Sequence, residues 1–169
     1  MSTSTLQISL RDVRLVAFDV DGVFTDGRIY ISDDGIESKA FCTQDGFGIR
    51  RLLEAGVEVA VISGRQSVAV ERRMSELGVV HVILGCASKI AAFDKLTATL
   101  GIADSECVYV GDDIPDMPLL GKVGCAIAVA NAVSGVREQC DYTTVADGGF
   151  GAVREVCDLV LAARDKAGR

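Results

Sequence analysis

The sequence has a single histidine, His81, and none of its six cysteines stands in Cys-x-x-Cys spacing. That scarcity argues against a zinc cage, which needs four such ligands in close register. Positive charge is also short: Lys plus Arg is 17 against 24 for Asp plus Glu, a formal net charge of −7. So acidic a chain lacks the basic face that general nucleic-acid or anionic-membrane binding requires. No apolar run approaches the roughly 18 residues of a membrane span. Met1 to Asp12 carries no apolar core segment, so no secretory leader is expected. No repeat, low-complexity stretch or linker divides the chain.

What is present fits one folded unit. The length of 169 residues predicts a single domain over 1–169, since domains average about 150 residues. Such a domain buries roughly 68–70% of its unfolded surface and needs no disulfide to fold. An apolar fraction of 49% beside a charged fraction of 24% excludes disorder. Cys42, Cys86, Cys107, Cys125, Cys140 and Cys157 stand mostly within apolar stretches. They are expected to be free thiols in a reducing cytosol, so the expected location is cytoplasmic.

Short apolar, β-branched runs alternate with helical patterns. Strands are expected at Val13–Val20, Val57–Ile62, Val79–Leu84, Cys107–Val110 and Gly124–Val129, with a short sixth at Tyr142–Val145. Near-continuous apolarity is the pattern of parallel strands covered on both faces. Helices are expected at Gly46–Ala55, Gln66–Leu77, Lys89–Leu100 and Ala152–Ala163, with Ser88 capping the third and Gly101 following it. The alternation predicts an α/β fold, a doubly wound parallel sheet with helices on both faces. One stretch breaks it. From Gly27 to Phe41 two alternating runs flank Asp33-Asp34-Gly35, which predicts a β-hairpin inserted after the first strand. No residues are left over for a cap domain.

Sheets of this class carry their chemistry beyond the carboxyl ends of the strands. The first strand ends in Asp19-Val20-Asp21-Gly22. Residues two apart on a strand share a face, so both carboxylates can border one space. Gly22 lets the backbone turn its N–H groups toward an anion. The second strand ends in Ser63-Gly64-Arg65, where the hydroxyl suits either phosphate binding or a helix N-cap. Lys89 opens the next helix against its dipole, an arrangement that favours a functional role over a surface one. The fourth strand ends in Gly111-Asp112-Asp113-Ile114-Pro115-Asp116. These clustered acids offer hard oxygen ligands to Mg²⁺, which accepts carboxylates, waters and a substrate phosphate.

Taken in order, Asp19-Val20-Asp21-Gly22, Ser63, Lys89 and Gly111-Asp112 with Asp116 resemble the four motifs of the haloacid dehalogenase-like phosphohydrolases. The likeness runs from Arg11 to about Leu161. Further segments resemble the cap-less branch of 3-deoxy-D-manno-octulosonate 8-phosphate phosphatases. They are Asp19 through Gly27, Lys39-Ala-Phe with Asp45-Gly-Phe-Gly-Ile49, Ile62-Ser-Gly-Arg65 and Gly148-Gly-Phe-Gly-Ala-Val-Arg-Glu155. Close relatives of that branch act on N-acylneuraminate 9-phosphate or its deaminated analogue. Two departures stand out: Phe150 occupies a position usually basic, and Gly85-Cys-Ala-Ser replaces a more polar Gly-Gln type.

The resemblance implies phosphomonoester hydrolysis in the supply of a lipopolysaccharide sugar acid, and a homotetramer. It implies Asp19 as nucleophile and Asp21 as acid then base. Asp19, the Asp21 backbone carbonyl and Asp112 would hold Mg²⁺, with Asp113 and Asp116 behind them holding waters or Lys89. Ser63 and Lys89 would bind the phosphoryl oxygens, and Gly22 would contribute its N–H. Arg65 suits the substrate's carboxylate or a salt bridge at a helix start. Asp45 suits either substrate contact or a cap of its helix. A phosphorylated receiver domain is disfavoured, because its phosphoacceptor follows the third strand rather than the first. A non-catalytic oligomerisation module is disfavoured because every catalytic position is retained.

Overall fold

The computed structural model describes residues 10–167, with side chains described through residue 165. The expectation for the chain's start therefore lies, up to residue 9, outside the described residues. The first strand, β1 (Leu15–Phe18), is buried at all four positions. The hairpin strands β2 (Tyr30–Ile31) and β3 (Glu37–Ser38) follow, then α1 (Thr43–Glu54), β4 (Glu58–Ile62) and α2 (Val68–Leu77). Next come β5 (His81–Ile83), α3 (Lys89–Leu100) and β6 (Cys107–Gly111). The chain continues through α4 (Met117–Leu120), β7 (Cys125–Ala128), α5 (Ser134–Gln139), β8 (Tyr142–Thr143) and α6 (Ala152–Ala167).

Six strands form one sheet in the order β5-β4-β1-β6-β7-β8, and every neighbouring pair is parallel. β1 lies between β4 and β6, with Phe18 level with Val61 and Val110. That register brings the residues after three different strands to one edge of the sheet. The two crossings on either side of β1 reverse the winding there, which opens the crevice such sheets use for ligands. No helix among the described residues is long and apolar enough to cross a membrane.

The hairpin forms a separate two-stranded sheet, with Tyr30 opposite Ser38 and Ile31 opposite Glu37. Its turn spans Ser32 to Gly35, closed by Gly35 N–H donating to the Ser32 carbonyl at 2.8 Å. Pairing is shorter than the alternating pattern predicts. Ile29, Tyr30, Ile31 and Ile36 are exposed, so no apolar layer of this chain extends the ladder.

Boundaries differ from expectation where glycine was read as punctuation. α1 begins at Thr43, and Gly46 and Gly48 lie inside it as buried residues. Large side chains would not fit there, because Arg73 and Leu77 of α2 press against Gly46, and Arg154 and Cys157 of α6 against Gly48. α3 matches its predicted span, with the Ser88 hydroxyl accepting from Ala91 N–H at 3.3 Å. α2 starts at Val68 after Ser67, so Ser63 caps no helix. The short α4 and α5 carry too few turns for a periodic signal and were not expected from the sequence. All six cysteines are free, three of them buried.

Candidate active site

The loop after β1 folds back tightly. Phe24 N–H and Thr25 N–H both donate to the Val20 carbonyl, at 2.9 and 3.2 Å. The Thr25 hydroxyl accepts from Gly22 N–H and Gly27 N–H, both at 3.3 Å. Gly22 has φ +92°, and a Cβ there would lie 2.1 Å from Asp112 Oδ2. Only glycine brings the first motif this close to the fourth. The C-terminal loop closes over the same turn: a Cβ on Gly148 would lie 1.7 Å from the Gly22 carbonyl oxygen. Gly149 N–H donates to the Val23 carbonyl at 3.0 Å.

A cavity of about 330 Å³ opens at the strand ends, bordered by Asp19, Asp21, Ser63, Arg65, Lys89, Asp112, Asp113 and Asp116. Every one of these positions was singled out from the sequence. The Lys89 ammonium lies 2.9 Å from Asp19 Oδ1 and 2.6 Å from Asp116 Oδ1. Asp19 is buried, and its backbone N–H donates to the Val110 carbonyl at 2.9 Å. Ser63 is buried, with its hydroxyl accepting from Arg65 N–H at 3.2 Å.

Asp116 is saturated. Its Oδ1 accepts from Lys89 and from the Tyr109 hydroxyl at 2.6 Å, and its Oδ2 accepts from Asp112 and Asp113 N–H at 3.0 and 3.3 Å. It therefore orients Lys89 and the β6 loop. Asp113 does not touch Lys89, contrary to one of the two roles expected of it. Its carboxylate accepts from Ile114 N–H at 2.8 Å and caps the short turn that returns Asp116 to the site.

Asp19, Asp112 and Asp116 bring carboxylate oxygens within 4.8 Å of one another. Burial, then the charge of Asp116, raises the Asp19 carboxyl to about 6 against the pull of Lys89. Burial, then Asp19 and Asp116, raises Asp112 to about 8. One ammonium does not offset three crowded carboxylates, and a divalent cation with oxygen preference fits this donor set. Because Asp116 is already bonded at both oxygens, Asp19 and Asp112 are the carboxylates with capacity to hold it.

One expected residue is placed differently. Asp45 is buried away from the cavity, and its Oδ1 accepts from Arg154 N–H at 2.8 Å. It caps α6, not its own helix and not a substrate subsite. Arg65 borders the cavity, with Nη2 2.6 Å from Glu37 Oε2 and Nε 3.6 Å from Asp21 Oδ2. Phe150 is exposed.

Three contributing residues were missed in the sequence. Tyr109 sits inside an otherwise aliphatic strand, and a buried phenol needs a partner for its hydroxyl, which was the available signal. Glu37 and Lys39 stand two apart on an alternating strand, on one face, but nothing local shows that the face turns toward β1.

Residues 80–153 match the family model for haloacid dehalogenase-like hydrolases. The 3-deoxy-D-manno-octulosonate 8-phosphate phosphatase KdsC of Salmonella typhi is 48% identical over 155 residues, 92% of this chain and 82% of that protein. The Yersinia pestis phosphatase of the same name has a solved structure that superposes with a TM-score of 0.94 at 42% identity, covering 96% of this chain and 88% of that one. The Moraxella catarrhalis phosphatase, solved in complex with magnesium ion, phosphate ion and KDO, superposes with a TM-score of 0.95 at 42% identity. That match covers 98% of this chain and 95% of the other. With the motif residues gathered in one cavity, and relatives this similar over nearly their whole length, the chain belongs to the haloacid dehalogenase-like hydrolases, in the family of the 3-deoxy-D-manno-octulosonate 8-phosphate phosphatases.

Proposed function

We propose that this protein is a Mg²⁺-dependent phosphatase that hydrolyses 3-deoxy-D-manno-octulosonate 8-phosphate, supplying the sugar acid of lipopolysaccharide. The observation that carries the reading is the single cavity in which Asp19, Asp21, Ser63, Lys89 and Asp112 meet. The family's phosphatases, one of them solved with magnesium, phosphate and KDO, support the substrate.

The Asp19 carboxylate attacks phosphorus, and the bond from phosphorus to the sugar oxygen breaks. Asp21 delivers a proton to that departing oxygen. In the second half, Asp21 takes a proton from water, which attacks the aspartyl phosphate and releases inorganic phosphate. Lys89 and the Ser63 hydroxyl orient the phosphoryl oxygens and offset their charge, while Gly22 N–H, expected beside them, donates to the Thr25 hydroxyl. Asp19, Asp112 and the Asp21 carbonyl would hold Mg²⁺, which would supply positive charge to offset that of the nucleophile and the phosphate. Asp116 and Tyr109 keep Lys89 in place. Arg65 presents a planar fork suited to the substrate's carboxylate.

The chain acts as one domain and as a homotetramer in the cytoplasm. The exposed apolar residues of the hairpin, Ile29, Ile31 and Ile36, favour packing against further copies. The free thiols suit a reducing compartment.

The test is phosphate release from 3-deoxy-D-manno-octulosonate 8-phosphate beside N-acylneuraminate 9-phosphate, with Mg²⁺ and with chelator. Release from the eight-carbon ester alone, abolished by chelator and by Asp19→Asn, is the expected result. Release from the nine-carbon ester alone keeps the chemistry and changes the substrate. No release from either overturns the reading. Light scattering showing a stable monomer overturns the tetramer.

A further inference from the structure

The hairpin sends one charged side chain into the site. Lys39 directly follows β3, and its side chain is 2% exposed. Its ammonium donates to Asp21 Oδ1 and lies 3.2 Å from Glu37 Oε1. Glu37 in turn holds Arg65, and Arg65 faces Asp21 from the other side. Asp21, Lys39, Glu37 and Arg65 thus form a closed ring of two acids and two bases. A buried ammonium is tolerated only with such partners. As a stability device the ring has little to recommend it, because buried ion pairs are often replaceable by apolar packing without loss.

Its effect on Asp21 is specific. One carboxylate oxygen is fixed by Lys39. The other, Oδ2, is buried and has no hydrogen-bond partner among the described residues. A carboxylate free to rotate would present either oxygen, in either direction. The ring pins Oδ1 by a hydrogen bond and leaves Oδ2, 3.6 Å from Arg65 Nε, without one, so Oδ2 is the oxygen that can carry the proton to the leaving group and later take one from water. Orienting the acid in this way lowers the barrier because proton transfer needs hydrogen-bond distance and alignment.

We propose that Lys39 is a positioning residue for Asp21, which makes the hairpin part of the catalytic apparatus and not solely an assembly element. This inference rests on the assignment of Asp21 as acid and base. It predicts a dependence on the leaving group that a merely structural lysine would not produce. A sugar alkoxide must be protonated as it departs, whereas p-nitrophenolate departs without a proton.

The test measures kcat and KM of Lys39→Met, Lys39→Arg and Asp21→Asn on the eight-carbon sugar-acid phosphate and on p-nitrophenyl phosphate. Lys39→Met is expected to lose about 100-fold in kcat/KM on the sugar ester and no more than about 5-fold on the aryl ester, the size of a general-acid contribution; kcat/KM is compared for every variant because it covers leaving-group departure and not the hydrolysis of aspartyl phosphate that both esters share. Lys39→Arg is expected to restore most of the difference. Equal losses on both esters, or no loss on either, overturn the inference. If Lys39→Met fails to fold, Lys39→Gln carries the same comparison under the same criteria. Asp21→Asn separates the two claims. If it shows the leaving-group difference and the Lys39 variants do not, the inference alone falls. If Asp21→Asn loses kcat/KM equally on both esters, the acid assignment falls and the inference falls with it.

Discussion

The Lys89 ammonium donates to Asp116 Oδ1 at 2.6 Å, joining two residues 27 positions apart in the chain. Asp116 thereby fixes the cation that faces the nucleophile. Removing the ammonium leaves the carboxylates of Asp19 and Asp116 crowded without their shared counter-charge. Lys89→Met is expected to lower kcat by about 1000-fold, the scale of a lost charge-stabilising donor. It should also destabilise the fold by about 3 kcal/mol, as when one partner of a buried pair is deleted. Steady-state kinetics and urea denaturation in chelator check both.

Metal-free protein should lose stability as pH rises. Asp112 is pushed up to about 8 and Asp19 to about 6, both above the unfolded value of 3.8. Between these limits the folded chain holds more protons than the unfolded one, so unfolding becomes easier with increasing pH. The stabilisation from these protons is complete below the unfolded value and gone above about 8. Cation binding competes with the same protons. The increase in Tm on adding saturating Mg²⁺ over chelator is therefore expected to grow across this window. A difference that shrinks as pH rises would contradict the assignment of Asp112 as a ligand.

Gly22→Ala places a methyl where Asp112 Oδ2 now lies, 2.1 Å away, at φ +92°. Asp112 must move or the turn must open. Mg²⁺ affinity is expected to drop by about 10-fold or more, as when the surroundings of a ligand are disturbed. Isothermal titration with Mg²⁺ measures it.

Asp45→Ala removes the cap of α6 without entering the cavity. The cost expected for a lost N-cap is about 1 kcal/mol. KM for the sugar-acid phosphate should stay within about 2-fold of the parent, because ordinary substitutions far from a site rarely perturb it. A large rise in KM would restore Asp45 to the substrate site.

The sequence by itself determined the layers and the chemistry. Continuous β-branched runs require strands covered on both faces, and the helices between them force parallel pairing. Asp19, Ser63 and Asp112 carry their identity locally, as a polar group at the end of an apolar run, and Lys89 as a cation at a helix start. What only the tertiary structure decided is which of two local readings each polar residue obeys. Ser63 was a possible helix cap, but α2 begins at Val68, five residues further on, with Ser67 at its N-terminus. Asp45 caps a helix more than a hundred residues away, because α6 starts against α1, with its first turn at Asp45. Asp116, not Asp113, holds Lys89, because the short turn after β6 rotates the third acid inward. Lys39 meets Asp21 only because the hairpin folds back over β1. Local pattern fixes which face of an element is apolar, but the partner of a polar side chain depends on contacts between distant segments, and those form only when the sheet brings its strand ends together.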